Sequence, residues 1–265
     1  MNDVSPDPSS TKSVLTFGRW KKYVFEFVML FLAVFLGFVA ENARENFAEK
    51  QQARELAKSF YEELKSDSIA VASKIQGRLK KEHAIEYMVS FFRDSSLTSS
   101  SKALSTNFIW AITVRTPIIF TPRTVVLEQL KSSGSLRYFK NKELRNLIGD
   151  LSVAIDYIKT RQEYENSIFY THIEPIMTTH MDFNFQSQLF KGEQIFDRLA
   201  AYESGSEYIP FHLSQPEKLD RQKLVNALGY YHTNGLKSTR LIPFQKYVEV
   251  NAATLSELRR EFDLE

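Results

Sequence analysis

The stretch that most limits what this chain can become is KKYVFEFVMLFLAVFLGFVAEN, residues 21–42. From Tyr23 to Ala40 every position is apolar or aromatic except Glu26 and Gly37. Eighteen residues at a helical rise of about 1.5 Å give roughly 27 Å, just enough to cross a hydrocarbon core of about 30 Å. A helix of a soluble core shows a polar face at 3.6-residue spacing, and Phe27 to Ala40 shows none. Glu26 lies one turn from Lys21 and Lys22, where it reaches the headgroup zone or pairs with a lysine. Trp20 and Tyr23 sit at the same edge, where amphipathic aromatics belong.

A cleaved signal peptide shares this layout, a basic start followed by an apolar run. Cleavage needs small residues at the −3 and −1 positions, however. Cutting after Ala40 places Phe38 at −3, and cutting after Ala43 places Glu41 there. The expectation is therefore an uncleaved single-pass anchor over 19–42, with the lipid bilayer as its first partner. Arg19, Lys21 and Lys22 crowd one flank, while the other opens with Glu41 and offers only Arg44 nearby. That bias sets the N-terminus in the cytoplasm of a cytoplasmic (inner) membrane and residues 43–265 outside it. Residues 1–18, rich in Ser, Pro and Asp, read as a disordered tail.

Composition excludes several chemistries. The chain has no cysteine, hence no disulfide framework, no thiolate metal site and no cysteine nucleophile. With 34 Lys+Arg against 32 Asp+Glu, it lacks the basic excess of a nucleic-acid footprint.

Beyond the anchor, helical periodicity dominates. ENARENFAEKQQARELAKSFYEELKSD contains no Pro or Gly and reads as a helix continuous with the anchor. Phe60, Leu64, Val71, Ile75, Leu79, Met88 and Phe92 keep mostly three- and four-residue steps, one apolar stripe. RDSSLTSSSK then breaks the helix. A further helix is expected over 124–133, closed by Gly134 in a left-handed conformation. Asn141 is expected to cap the next, with Leu144, Leu147, Leu151, Ile155 and Ile158 as its core stripe, reaching about Ile173–Pro175. Leu224, Leu228 and Tyr231 mark another helix, which Pro243 is expected to kink or end. Phe244, Val248, Leu255, Leu258 and Phe262 form the last stripe. The fold class that follows is all-α: an N-terminal transmembrane helix continuing into an antiparallel helical bundle.

Two stretches carry a resemblance. The span has an acidic residue near its start, a glycine late in it, and AEN leading into a charged helix; farther on stands TVVLEQLKSSGSLRYFKNKELRNLIGDL. In these the chain resembles a family of uncharacterised single-pass membrane-anchored proteins common in Bacteroidota, classed as a domain of unknown function. The departure is ARENF, where that family has a tryptophan-containing NNWNE-like stretch. The resemblance implies a membrane-anchored helical protein and supplies no activity.

Catalytic motifs are absent: no phosphate-binding glycine loop, no H-E-x-x-H, no G-x-S-x-G. KEHAIEY places Glu82, His83 and Glu86 on one helix, but a carboxylate-bridged di-iron bundle needs Glu-x-x-His on two helices, so this reads as a solvated face. THIEPIMTTHMDF gathers His172, Glu174, His180 and Asp182, all able to ligate zinc or move protons. Pro175 is expected to interrupt the helix between them, and the plainer reading is a helix end that caps and solvates. The aromatics of SIFYTHI and LGYYHTNG either close the bundle or line a pocket. No cofactor, metal or catalytic residue is expected. Three functional classes remain, in this order: an interaction or scaffold module of the cell envelope with a protein partner, a ligand-sensing bundle signalling through a membrane partner, and an envelope enzyme.

Overall fold

The computed structural model describes residues 17–192 and 195–264. Most of the expected tail over 1–18 lies outside the described residues. The structure is 84% helical, without a strand among the described residues, which makes the fold all-α. The first helix, α1, spans Phe17–Asp94. The chain divides into two units, one ending at Gln52 and the other running from Ala53.

In the first unit the apolar stretch of α1 is a candidate membrane span. An 18-residue window there has mean hydropathy 2.4, and none of it is buried. A core helix hides its apolar side chains, and within this chain these are not hidden.

In the second unit, the buried face of α1 carries Phe60, Leu64, Val71, Met88 and Phe92, as their spacing requires. From Ser101, whose hydroxyl accepts the Leu104 amide hydrogen, the chain returns along α1 through α2 (Lys102–Phe108) and α3 (Val125–Ser132). Contacts from α1 mark the direction: Lys81 meets Val114, Lys74 meets Thr116, Asp67 meets Arg123 and Glu63 meets Val126. The α1 carboxylates supply what the start of α3 lacks. Glu63 accepts from the Val126 N–H at 3.2 Å and Asp67 from the Arg123 N–H at 2.9 Å, since Thr124 makes no side-chain cap. Burial pushes both carboxyls above their ordinary values. Gly77 lets the return segment approach: a Cβ there would stand 2.5 Å from the Pro117 carbonyl oxygen.

Gly134, at φ +68°, ends α3 in the left-handed conformation, as expected. Asn141 caps α4 (Lys142–Ile168) by accepting from the Glu143 and Leu144 N–H groups. Pro175 does not break the helix. A π-helical turn over Phe169–Ile173 carries α4 into α5 (Glu174–His180), with the proline in its first turn. Helix α6 (Phe183–Phe190) and α7 (Ile195–Ser204) fold over this end. Helix α8 (Arg221–Tyr230) leads through π-helical turns at Tyr231–Lys237 and Arg240–Phe244 into α9 (Gln245–Phe262). Pro243 sits in the second of these, so it neither ends nor separates the helices.

Tyr61 meets Arg259, Asp67 meets Tyr247 and Glu82 meets Arg240, so α9 runs antiparallel to α1. Glu143 meets Arg260 and Arg161 meets Ser238, so α9 is also antiparallel to α4. The unit is thus an antiparallel bundle with two apolar cores, one around Phe60, Leu151 and Leu258, the other around Phe92, Phe108 and Leu228.

Two expected stripes reach the core but each misses at one position. Ile148 is buried where Leu147 was expected, and Tyr247 where Val248 was. Ile148→Ala should therefore cost about 2–5 kcal/mol and Leu147→Ala about 1 kcal/mol or less by urea unfolding. Equal costs would show the α4 face wrongly oriented.

Candidate functional site

The residues expected to anchor the chain in a membrane all lie on α1. Trp20 and Tyr23 are exposed, Glu26 stands 3.8 Å from Lys22, and Gly37 has open space around it.

Between the two apolar cores lies a charged layer. Arg78 is fully buried and donates from Nη1 to Glu165 Oε2 at 2.8 Å, with its guanidinium carbon 4.3 Å from the Phe244 ring centroid. Lys81, one turn on, is also fully buried, and its Nζ donates to the Val114 and Trp110 carbonyls at 2.6 and 3.2 Å. A π-helical turn over Ile109–Thr113 bears one of those acceptors and ends beside the other. Phe169 and Tyr231, the first residues of two other π-helical turns, face the same ammonium. Burial lowers Lys81 to about 7, helped by Arg115 and Arg78 and opposed by Glu165. Burial also pushes the Tyr231 phenol up. Nearby, Glu82 takes Arg240 in two 2.7 Å bonds. The expected solvated face at KEHAIEY is therefore buried at Glu82, with His83 and Glu86 outside. None of the described cavities is lined by Arg78, Lys81, Glu82 or Glu165.

A groove of about 1090 Å³ lies between α5 and α8. His172 and His180 both line it, together with Lys218, Lys223, Asp220 and Tyr230. Ligand pockets commonly have volumes of about 300–1,000 Å³, so this one takes an organic molecule or a short segment. His180 is 6% exposed, and its Nδ1 lies 2.9 Å from the Ser214 carbonyl oxygen. A carbonyl only accepts, so Nδ1 carries the proton. The His172 ring packs edge-on against Tyr230 at 5.6 Å, and Tyr230 shares a 2.8 Å hydrogen bond with Tyr164. Asp220 caps α8 by accepting from the Lys223 N–H.

No family model, curated protein or solved structure matches the chain. The site is therefore read from its own geometry.

The four polar residues of THIEPIMTTHMDF do not converge. Asp182 caps α6 by accepting from the Asn184 and Phe185 N–H groups, and Glu174 lies in the first turn of α5 away from the groove lining. Among the described residues no three His, Asp or Glu side chains are grouped so as to hold a metal ion. Lys218, Lys223 and Ser214 gave no signal in the sequence, because a loop and a turn of helix more than thirty residues downstream bring them to His180. Tyr230 belonged to a stretch with two readings, and the structure divides them: Tyr231 is buried and Tyr230 lines the groove.

The low Lys81 value has a testable sign. The folded chain holds fewer protons than the unfolded chain between about 7 and the ordinary 10.5. Stability should thus rise with pH across that window, the burial penalty being fully present below it. Urea unfolding at stepped pH should show the rise in the native chain and lose it in Lys81→Met. An equal rise in the variant would assign it to another group.

Proposed function

We propose that the protein is a membrane-tethered binding module of the cell envelope. A single-pass anchor holds its N-terminus in the cytoplasm, and the helical bundle outside acts by contact, with the α5–α8 groove as its recognition surface. The observation that carries the tether is the apolar stretch of α1, unburied along a whole 18-residue window. In water such a surface would expose Phe27, Leu30, Phe31, Phe35 and Phe38, all more than half exposed, and lipid is the solvent that removes this cost. The charge bias of Arg19, Lys21 and Lys22 over Arg44 supports the orientation.

Binding rather than catalysis is favoured by the groove's own bonds. His180 is tied to a backbone carbonyl, and no hydroxyl in the groove is hydrogen-bonded to it among the described residues. The order between a scaffold and a ligand sensor turns on the occupant. An open groove of this volume, lined by both histidines, favours a ligand-sensing bundle that reports to a membrane partner.

The tether is tested by alkaline carbonate extraction of membranes and by a reporter active only outside the cytoplasm, fused after Glu265. The full-length chain should stay with the pellet, keep its N-terminus and give an active reporter. Release into the supernatant, or a mature chain beginning near Glu41, would remove the anchor from the account.

A further inference from the structure

We propose that the charged layer holds one small monovalent anion of halide size, chloride above all, among Arg78, Arg115 and Tyr231. This site is separate from the groove and stands whether or not the groove is a recognition surface.

The first support is a set of donors with nothing to donate to. Arg78 Nε and Nη2, Arg115 Nε and the Tyr231 hydroxyl are all shut off from water and meet no protein acceptor among the described residues. Arg78 and Tyr231 are fully buried as whole side chains. Buried polar atoms are nearly always satisfied, so four such donors in one layer call for an acceptor that the chain does not supply. They share one neighbourhood. The Phe169 ring centroid lies 4.2 Å from the Arg115 guanidinium carbon, 5.9 Å from Lys81 Nζ and 6.0 Å from the Tyr231 ring centroid. Arg78 stands one turn before Lys81 on the same face of α1. Gly235 lets Tyr231 close on Glu165: a Cβ there would lie 3.0 Å from Tyr231 Cδ2 and 3.5 Å from Glu165 Cγ.

The second support is charge. Arg78, Lys81 and Arg115 bring three basic groups to the layer, and Glu165 is the carboxylate among them. Glu82 is taken by Arg240, and Arg115 spends its Nη2 on the neutral Asn166 amide. Even with Lys81 neutral, the two guanidinium groups outnumber the one carboxylate. Buried charges are paired, and a monovalent anion is what balances this one. All four unpartnered groups can donate, which selects an anion over a cation.

The third support is size. None of the described cavities is lined by Arg78, Arg115 or Tyr231. An organic ligand asks for about 300 Å³ or more, whereas a halide takes roughly the 30 Å³ share of one water. Phe169, Tyr231 and Phe244 each come from a π-helical turn, an irregularity frequent at functional sites.

The test is equilibrium dialysis of radioactive chloride against the full-length chain in uncharged detergent micelles. Gluconate, too large for the layer, holds ionic strength constant. About one chloride per chain should bind, with a dissociation constant of about 10 mM or below, and bromide should compete for it. As chloride replaces gluconate, the melting temperature should rise saturably, by about 3 °C or more at a tenfold excess over that constant. Tyr231→Phe and Arg115→Met should each weaken chloride binding about tenfold. The phenylalanine variant loses only a hydroxyl, so in gluconate it should melt at the native temperature or above while gaining less from chloride; it carries the test alone should Arg115→Met not fold. No saturable binding up to about 100 mM chloride, or binding that Tyr231→Phe leaves unchanged, would overturn the proposal and assign these donors to ordered water.

Discussion

The buried pair Arg78–Glu165 is the contact on which the bundle's register depends. It joins α1 to α4 at the level where one apolar core gives way to the other, with both side chains shut off from water. Removing two charges from water is expensive, and their attraction repays it only with good geometry and further bonds. Here the guanidinium bonds Glu165 and stacks over Phe244, while its Nε and Nη2 find no acceptor. Such a pair adds little net stability over apolar residues of the same size. Its value lies in the register: turning or sliding α1 so that Leu79 took the place of Arg78 would leave Glu165 a lone buried charge.

Much of the fold was legible in the residues. The left-handed Gly134, the Asn141 cap and the apolar face from Phe60 to Phe92 follow from local chemistry, and the structure has them. The departures share a cause. Pro175 reads as a helix break and Pro243 as a kink or an end, yet both helices run on through π-helical turns, and such turns have no composition that marks them. Hydrophobic spacing allows both Leu147 and Ile148, since either keeps three- and four-residue steps; only tertiary packing selects Ile148. Nothing in the sequence marks Arg78 and Lys81 as buried charges, because a buried charge is readable only from partners far along the chain. Glu165 and Val114 are those partners.

The groove was half legible for the same reason. His172 and His180 were visible as members of a polar cluster, but the cluster itself dissolves: Asp182 caps a helix and Glu174 stays outside the lining. What gathers around the two histidines comes instead from Lys218 to Tyr230. The charged layer and the groove are connected through α4 and α8, whose π-helical ends hold Phe169 and Tyr231 against Lys81 and continue into the groove walls at His172 and Tyr230.

The claim that Arg78 and Glu165 act as one unit is tested most directly by a double-mutant cycle, Arg78→Met and Glu165→Met singly and together, by urea unfolding. Each single change leaves a partner buried without its mate and should cost about 3–5 kcal/mol. The double change should recover most of that loss, giving a coupling energy of about 2 kcal/mol or more. Costs that simply add would mean that the two charges stand independently, and that the register of the bundle is set elsewhere.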